Sequence, residues 1–557
     1  MNINPPVQGL ILSKNKISQT MKTRLLLLLL LPVSVLAQPK LYFDINEVKI
    51  PGLPAVQSFA WGIAPDGKWL IVGGRTDGLH KRQPFAAFAP AYNNAQIHVI
   101  DVNQKRVWSK PLTGLPAALA EQLQSTNMEF HQSGDWLYLV GGYGYSPTAR
   151  EFITHPYLTA VNVPGLVDAV VNGKPLTGHF LQLKDDRMAV TGGQFRMLQD
   201  DYYLVGGQNF EGRYNPMGPD HGPGFVQQYT DEIRKFKIRN VGGQLSLLDY
   251  TAMHDETNLH RRDYNLVPQI MPDGTEGLTA FSGVFQHNAD LPFLNSVDIT
   301  PSGYTVNNDF LQYLNHYHTA HAGFWDELKK EMYTVFFGGI SQYYFDGQGN
   351  IVSDPDVPFV NHVSVVTRKS DGSMSEAAFD FKMPGLLGAS AELIPENDQL
   401  KTPNGTTILN RLGEDYFEII GYMYGGIEST QPNVLFLNGD SLSYASARLF
   451  SIGVAQGEYV SVSQVSNSTN PLRVSVQPNP AHDTLRLRYE TPLSGKIFFM
   501  LQNVEGKIVR RWEAESTGAG AYETAFEVSK LPAGPYLLSA SAGKYFRTEK
   551  VILARQR

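Results

Sequence analysis

A short apolar run that ends in two glycines recurs along this chain. It is first seen as Leu70-Ile71-Val72-Gly73-Gly74 and returns at Leu137–Gly142, Tyr202–Gly207, Val335–Gly339 and Ile419–Gly426. A degraded copy, Leu278–Gly283, carries Ser282 where the first glycine is expected. Successive pairs lie 68, 65, 76, 56 and 87 residues apart, so the spacing is loose while the phrase is constant. That behaviour marks a structural repeat with insertions of varied length. A run of four or five apolar residues reads as a buried strand, taken as the inner strand of its unit. The glycines allow positive φ and close approach of neighbouring backbones.

After each phrase comes a variable segment and then a strand in which apolar and polar residues alternate, as expected for half-buried β structure. These strands are predicted at Gln96–Val102, Tyr157–Val163, Glu232–Ile238, Leu294–Ile299, His362–Thr367 and Ala447–Ile452, with a further strand at Arg106–Ser109 in the first unit. Ahead of the first unit, Leu41–Ile45 and Val48–Ile50 are strand-like. They either close the last unit by pairing at its open edge or form a plain N-terminal arm.

An apolar strand ending in Gly-Gly, a later strand and Trp108 near the end of the first unit together resemble the kelch-type β-propeller, over roughly residues 41–462. The resemblance implies an all-β fold of six blades, with five or seven as the alternatives. The units are longer than the usual kelch length of about 50 residues, and the tryptophan recurs clearly only in the first.

Composition narrows the class. Of 557 residues, 42% are apolar and none is cysteine, which excludes disulfides, thiolate metal sites and a cysteine nucleophile. Copper kelch enzymes with a cysteine-linked tyrosine are excluded on the same ground. Residues 1–20 read as an extra upstream segment. Met21-Lys22-Thr23-Arg24, the seven leucines Leu25–Leu31 and the small-residue stretch to Ala37 have the three sections of a secretory signal over 21–37. No other segment reaches the roughly 20 apolar residues of a membrane span, so no transmembrane segment is expected. Between the signal and Leu472, 29 basic side chains face 45 acidic ones. This acidic body argues against nucleic acid as a partner.

The segments after the glycine pairs, Arg75–Asn94, Tyr143–Pro156, Gln208–Tyr229, Val284–Phe293, Ile340–Asn361 and Ile427–Ser446, are expected to emerge on one face and to build any ligand site there. The third is the richest. Phe210, Arg213, Tyr214 and Asn215 supply the stacking faces and directional hydrogen bonds a saccharide needs, unless the loop simply packs on itself. Arg75 and Arg196, with Arg213, Arg368 and Arg448, form a candidate cluster near the axis that would take a carboxylate, as in a uronic or sialic acid. This resembles sialidases and sialic-acid mutarotases in general plan, without an Asp-box repeat, and leaves Glu211 and Glu232 as acid–base candidates. His316 and His318 share a face if their segment is extended, a weak zinc or copper candidate beside a core role. No cofactor is expected, with calcium left open at Ser353–Asp356; Asp346–Asn350 is most simply a turn.

The polar stretch from Ser461, with 463–471 as linker after a body of 38–462, leads to a second compact segment at 472–557. Its alternating strands make a small β-sandwich. Pro478-Asn479-Pro480-Ala481, Leu531-Pro532-Ala533-Gly534-Pro535-Tyr536 and Lys550-Val551-Ile552-Leu553 occur in an order that resembles the C-terminal sorting domain of the type IX secretion system of Bacteroidetes. The resemblance implies folding in the periplasm, contact with the type IX machinery and delivery to the outer surface or medium, often with loss of the tail. The expected function is a secreted or cell-surface module binding an extracellular glycan or protein. The alternative is a carbohydrate-active enzyme, an epimerase or mutarotase, lyase or hydrolase, working on the same face.

Overall fold

The computed structural model describes residues 41–456 and 472–554, except 84, 217–223, 290, 347–349, 397, 413–416, 438, 440, 493, 504–507 and 543–544. The signal segment and the linker expected from the sequence lie outside the described residues. The described residues are all-β in class, with two short α-helices among them, Ala117–Leu123 and Val163–Val171. In the second helix the Asn162 side chain accepts from the Gly165 amide, while Leu166, Val167, Ala169 and Val170 pack into the core.

The described part of residues 41–456 forms six larger sheets in chain order, antiparallel except where Thr407–Ile408 joins the fifth in parallel, and two two-stranded ribbons, Gln208–Gly212 with Phe225–Tyr229 and Tyr343–Phe345 with Ile351–Ser353. The first is Ala60–Ile63, Trp69–Val72, Gln96–Asp101 and Arg106–Pro111. The second is Thr126–Ser133, Trp136–Ser146, Tyr157–Asn162 and Phe180–Lys184, the third Gln194–Leu198, Asp201–Val205, Glu232–Val241 and Gln244–His254. The fourth is Asn265–Ile270, Glu276–Phe281, Ser296–Thr300 and Gly303–Asn307, the fifth His321–Asp326, Glu331–Ile340, Phe359–Arg368 and Met374–Lys382. The sixth takes Leu386–Pro395, Glu418–Ser429 and Leu449–Gln456 from the end of this region and Leu41–Glu47 from its start. Leu41–Glu47 runs antiparallel to Leu449–Gln456, pairing Leu41 with Gln456 and Glu47 with Phe450, so the N-terminal segment covers an edge.

The diglycine phrase is the second strand of each sheet, not the innermost. A strand that the apolar pattern did not mark, such as Ala60–Ile63, precedes it. The phrase is a continuous apolar run because both faces of its sheet are covered. Leu70 and Val72 pack with Leu137, Leu139 and Val161 of the second sheet. Trp69 and Ile71 point the other way, to Ile394, Tyr422 and Tyr424 of the sixth. The same two-sided burial joins the second sheet to the third through Val140, Phe195 and Tyr202, the third to the fourth through Val205, Leu266 and Leu278, and the fourth to the fifth through Phe281 and Phe336. Val335, Phe337, Ala391 and Met423 join the fifth to the sixth. Each such side chain contributes about 1.5–3 kcal/mol by leaving water.

The glycine pairs sit where consecutive sheets touch. Gly141 has φ +64°, and a Cβ built on it would lie 1.8 Å from the carbonyl oxygen of Val190 in the segment leading to the third sheet. Gly142 donates to that same oxygen at 2.9 Å. The joint recurs as Gly74 to Ser125 (2.9 Å), Gly207 to Arg261 (2.7 Å) and Gly426 to Val56 (2.9 Å), the last running from the sixth sheet to the segment before the first. Ser282 keeps the left-handed conformation, φ +60°, with its side chain buried, so the degraded copy preserves the backbone without the glycine.

Residues 472–554 form a separate sandwich. Arg473–Val476, Thr484–Thr491 and Gly520–Glu527 make one sheet; Ile508–Ser516, Gly495–Asn503, Gly534–Ala542 and Tyr545–Leu553 make the other. Along Thr484–Thr491 Leu485, Leu487 and Tyr489 are buried and Thr484, Arg486, Arg488 and Glu490 exposed, the alternation read from the sequence.

Gly141→Ala is expected to cost more than about 3 kcal/mol, because the added methyl group can be housed only by moving the neighbouring backbone. Gly134→Ala is the control. Its φ is +55° but nothing lies within 4 Å of the added atom, so only the left-handed penalty of about 1–2 kcal/mol applies. Equal losses of melting temperature in the two variants would contradict the joint.

Candidate functional site

Close to the start of each sheet stands a residue with positive φ: Ser58 (+52°), Gly192 (+70°), Asp263 (+51°) and His318 (+35°) just before the first strand, and Asn127 (+52°) and Ser390 (+54°) within it. Four successive pairs are tied through the main chain. Asn127 donates to Ser58 at 3.2 Å, Asp263 to Gly192 at 2.9 Å, Ser390 to His318 at 2.7 Å and Ser58 back to Ser390 at 3.3 Å. All six line one cavity of about 270 Å³, and residues from all six post-glycine segments complete its wall. Gly, Asn, Asp and His are the residues most often found in this conformation, so Asn127, Gly192, Asp263 and His318 carried a readable signal; Ser58 and Ser390 did not.

The wall is largely aromatic on the side of the third segment. Phe210 stacks on Phe225 with ring centroids 4.8 Å apart and meets Tyr143 edge-on at 5.1 Å. The Tyr143 hydroxyl donates to the Gly212 carbonyl at 2.8 Å, and burial pushes its phenol well above the usual range. Tyr214 meets His80 edge-on at 4.8 Å, and His80 stacks on Phe88 at 4.9 Å. Gln57, Gln208, Gln227 and Gln342 also line the cavity.

The cations of the wall already have partners. Arg75, only 2% exposed, donates Nε and Nη2 to the two carboxylate oxygens of Asp77 at 2.7 and 2.6 Å, and Nη1 to Asn93 at 3.1 Å. Arg262, which the sequence did not single out, bonds Tyr229 Oη at 2.9 Å and Asp263 at 3.1 Å.

Below the cavity lies a narrower chamber of about 20 Å³ that shares Ser58, Asn127, Gly192 and His318 with it. Glu129, Arg196, His318 and Glu392 line it. Glu129 accepts from the Gly193 amide at 2.8 Å, and burial raises its pKa well above the ordinary carboxylate value. Burial acts on Glu392 in the same sense but is outweighed. His318 Nε2 at 3.5 Å, the Arg196 charge and Trp61 Nε1 at 3.2 Å hold it below its usual value. Two carboxyl groups pushed in opposite directions therefore face one small space.

Of the residues expected at the site, Arg75, Phe210 and Tyr214 line the cavity and Arg196 the chamber. Arg213 lies over the Phe152 ring at 5.1 Å and Asn215 is buried; neither lines the cavity. The five arginines do not converge. Arg368 is clamped on Asp298 of the fourth sheet at 2.5 and 2.6 Å, and Arg448 bridges Glu47 and Glu428. Glu211 is exposed beside Asn209, and Glu232 pairs with Arg234 at 2.6 Å. Both stand off the cavity wall.

His316 and His318 do not share a face, because both have positive φ, +45° and +35°, and the segment is not extended. His316 is fully buried, its Nδ1 on the Gly338 carbonyl and its Nε2 on Ser364 Oγ at 2.8 Å, while His318 turns to the chamber. Among the described residues no group of three or more His, Asp or Glu is placed to hold a metal ion. Asp346 accepts from the Asn350 amide at 2.9 Å; the residues between them lie outside the described ones.

Residues 475–554 match the family model of the secretion system C-terminal sorting domain. The chain thus ends in a type IX sorting tail and is a secreted or cell-surface protein exported by that system. No helix among the described residues is long and apolar enough to cross a membrane. No curated protein matches the sequence. Among solved structures the chain is similar to YjhT, at 11% identity and a TM-score of 0.40, over 73% of this chain and 99% of that one. It is also similar to PorZ, described as an essential bacterial surface component of the type-IX secretion system of Porphyromonas gingivalis, at 10% identity and a TM-score of 0.12, over 92% of this chain and 100% of that one. At these scores neither likeness bears on the fold or the site.

Burial lowers the His316 imidazole to about 4, so its ring is expected to stay neutral until the pH falls to about 4. The unfolded chain takes up that proton near 6.5, so this residue's contribution to stability is complete above 6.5 and is lost as the pH falls through about 4. Imidazole NMR of the labelled protein measures the midpoint; titration near 6.5 would place the ring in water.

Proposed function

We propose that the six sheets are the blades of a kelch-like β-propeller and that the exported protein binds an extracellular glycan in the axial cavity. Three features support the propeller: the cyclic order of the apolar contacts, the joint from Gly426 back to Val56, and the N-terminal strand paired to the last sheet. The binding reading is carried by one observation, a cavity of about 270 Å³ lined from all six loops, five of which bring aromatic or amide groups to it. Sugars are held by that combination of stacking and directional hydrogen bonds. Because Arg75 and Arg262 are already paired with Asp77 and Asp263, a neutral sugar suits the wall better than an acidic one.

A carbohydrate-active enzyme is the second reading, favoured by the His318–Glu392 contact in the chamber that also holds Glu129. Export carries the molecule through the periplasm to the outer surface, where the tail is removed or used for attachment.

A glycan array probed with the exported protein is expected to return hits rich in neutral sugars, and incubation with each hit tests for product. Tyr214→Ala should weaken such a hit roughly tenfold with little change in melting temperature. An array without hits would sink the glycan reading. Deleting residues 472–557 should leave the protein in the periplasm, as fractionation of the cells would show; export of the shortened chain would remove the tail's role.

A further inference from the structure

We propose that the chamber below the cavity is a subsite for a single uncharged, hydroxyl-sized group: a water in the resting protein, and a hydroxyl of the sugar when the cavity is filled. The inference rests on the glycan reading above and names the part of the sugar that is read.

Size is the first argument. A chamber of about 20 Å³ has room for one water-sized group and not for a sugar ring. The second is Glu129, which is 3% exposed. Its Oε1 accepts from the Gly193 amide at 2.8 Å, while Oε2 is buried and has no hydrogen-bond partner among the described residues. Burial favours the neutral form of this carboxyl, and because Oε1 accepts from the amide, the proton of that form belongs on Oε2. A buried donor of that kind calls for an acceptor.

The remaining groups set the charge. Arg196 is tethered through Nη1 to the carbonyls of Phe195 at 3.0 Å and Phe130 at 3.3 Å. Its charge is balanced by Glu392, which accepts from Trp61 at 3.2 Å and faces His318 Nε2 at 3.5 Å. One guanidinium and one carboxylate leave no net charge for an ion to answer. A carboxylate entering the chamber would meet Glu392, and an ammonium would meet Arg196. A hydroxyl accepts from Glu129 and donates to the His318–Glu392 side, so it alone satisfies both. On a pyranose the hydroxymethyl group projects furthest from the ring and is the part best able to enter.

The test uses the exported protein with D-glucose, D-galactose and D-mannose as probes, each beside its 6-deoxy and 6-carboxy counterpart, by calorimetry or saturation-transfer NMR. At least one hexose is expected to bind, and its 6-deoxy and uronate forms to bind about ten- to hundredfold more weakly. Glu129→Leu should lose the preference for the hexose over its 6-deoxy form, and Glu129→Gln, which keeps a neutral donor, should rescue it. Equal binding of hexose and 6-deoxy sugar, tighter binding of the uronate, or a preference unchanged in Glu129→Leu would overturn the subsite while leaving the glycan reading intact. If none of the hexoses binds, that reading fails for these sugars and the resting protein decides the subsite. An ordered water on Glu129 Oε2 in a crystal structure, with a neutral carboxyl in carbon-labelled spectra, supports it; a dry chamber or an ionised Glu129 overturns it.

Discussion

The structure depends on a single steric constraint, the pressing of a main-chain carbonyl from one sheet against the diglycine of the sheet before it. At Gly141 the space for a side chain is filled by the Val190 oxygen, and the same oxygen receives the next amide, from Gly142. No other residue allows both the approach and the left-handed backbone without strain. Because the joint fixes the distance between sheets, it also fixes how far each apolar strand reaches toward its neighbours. The phrase is therefore apolar on both faces, and six inter-sheet cores replace one central core.

The same constraint places the site. Close to each joint, in or just before the first strand of the next sheet, the chain passes through a residue of positive φ. Six such positions bring Ser58, Asn127, Gly192, Asp263, His318 and Ser390 to the wall of one cavity. Non-glycine residues in this conformation cost about 1–2 kcal/mol each, and they persist here because the inter-sheet hydrogen bonds hold them. The wall is consequently rigid main chain at its base and variable side chain above, an arrangement that admits new ligand chemistry without disturbing the joints.

The repeated phrase, the strand after it and the gathering of six insertions were legible in the sequence because they follow from local rules: apolar periodicity and glycine. The C-terminal sandwich was equally legible, since Leu485, Leu487 and Tyr489 alternate with charged residues. The first strand of each sheet was not. Ala60–Ile63 and Gln194–Leu198 are short and mixed in polarity, and their place is set by neighbours far away in the chain. The chamber was hidden for the same reason. Glu129, Arg196, His318 and Glu392 come from four different sheets or the turns before them, and nothing within any one unit marks them as partners. His318 was noticed only for its density of neighbouring histidines, and the extended geometry assumed for it gave way to a left-handed turn.

The arginines show how charge should be read in such a fold. A chain without disulfides that buries both faces of its sheets has few directional contacts between them, and ion pairs supply some. Arg368 with Asp298 orients the fifth sheet on the fourth, and Arg448 with Glu47 and Glu428 holds the N-terminal strand in the sixth. Such pairs add little net stability once desolvation is counted, but removing one partner strands a charge, so they fix register rather than strength. An arginine at the wall of the cavity is thus expected to be spent on structure unless its carboxylate partner is missing. Arg75 has Asp77, Arg262 has Asp263, and Arg196 has the field of Glu392. With Arg75, Arg262 and Arg196 answered from within the protein, discrimination falls to aromatic faces, amides and the Glu129 oxygen that has no partner among the described residues. These groups recognise shape and hydroxyls rather than charge.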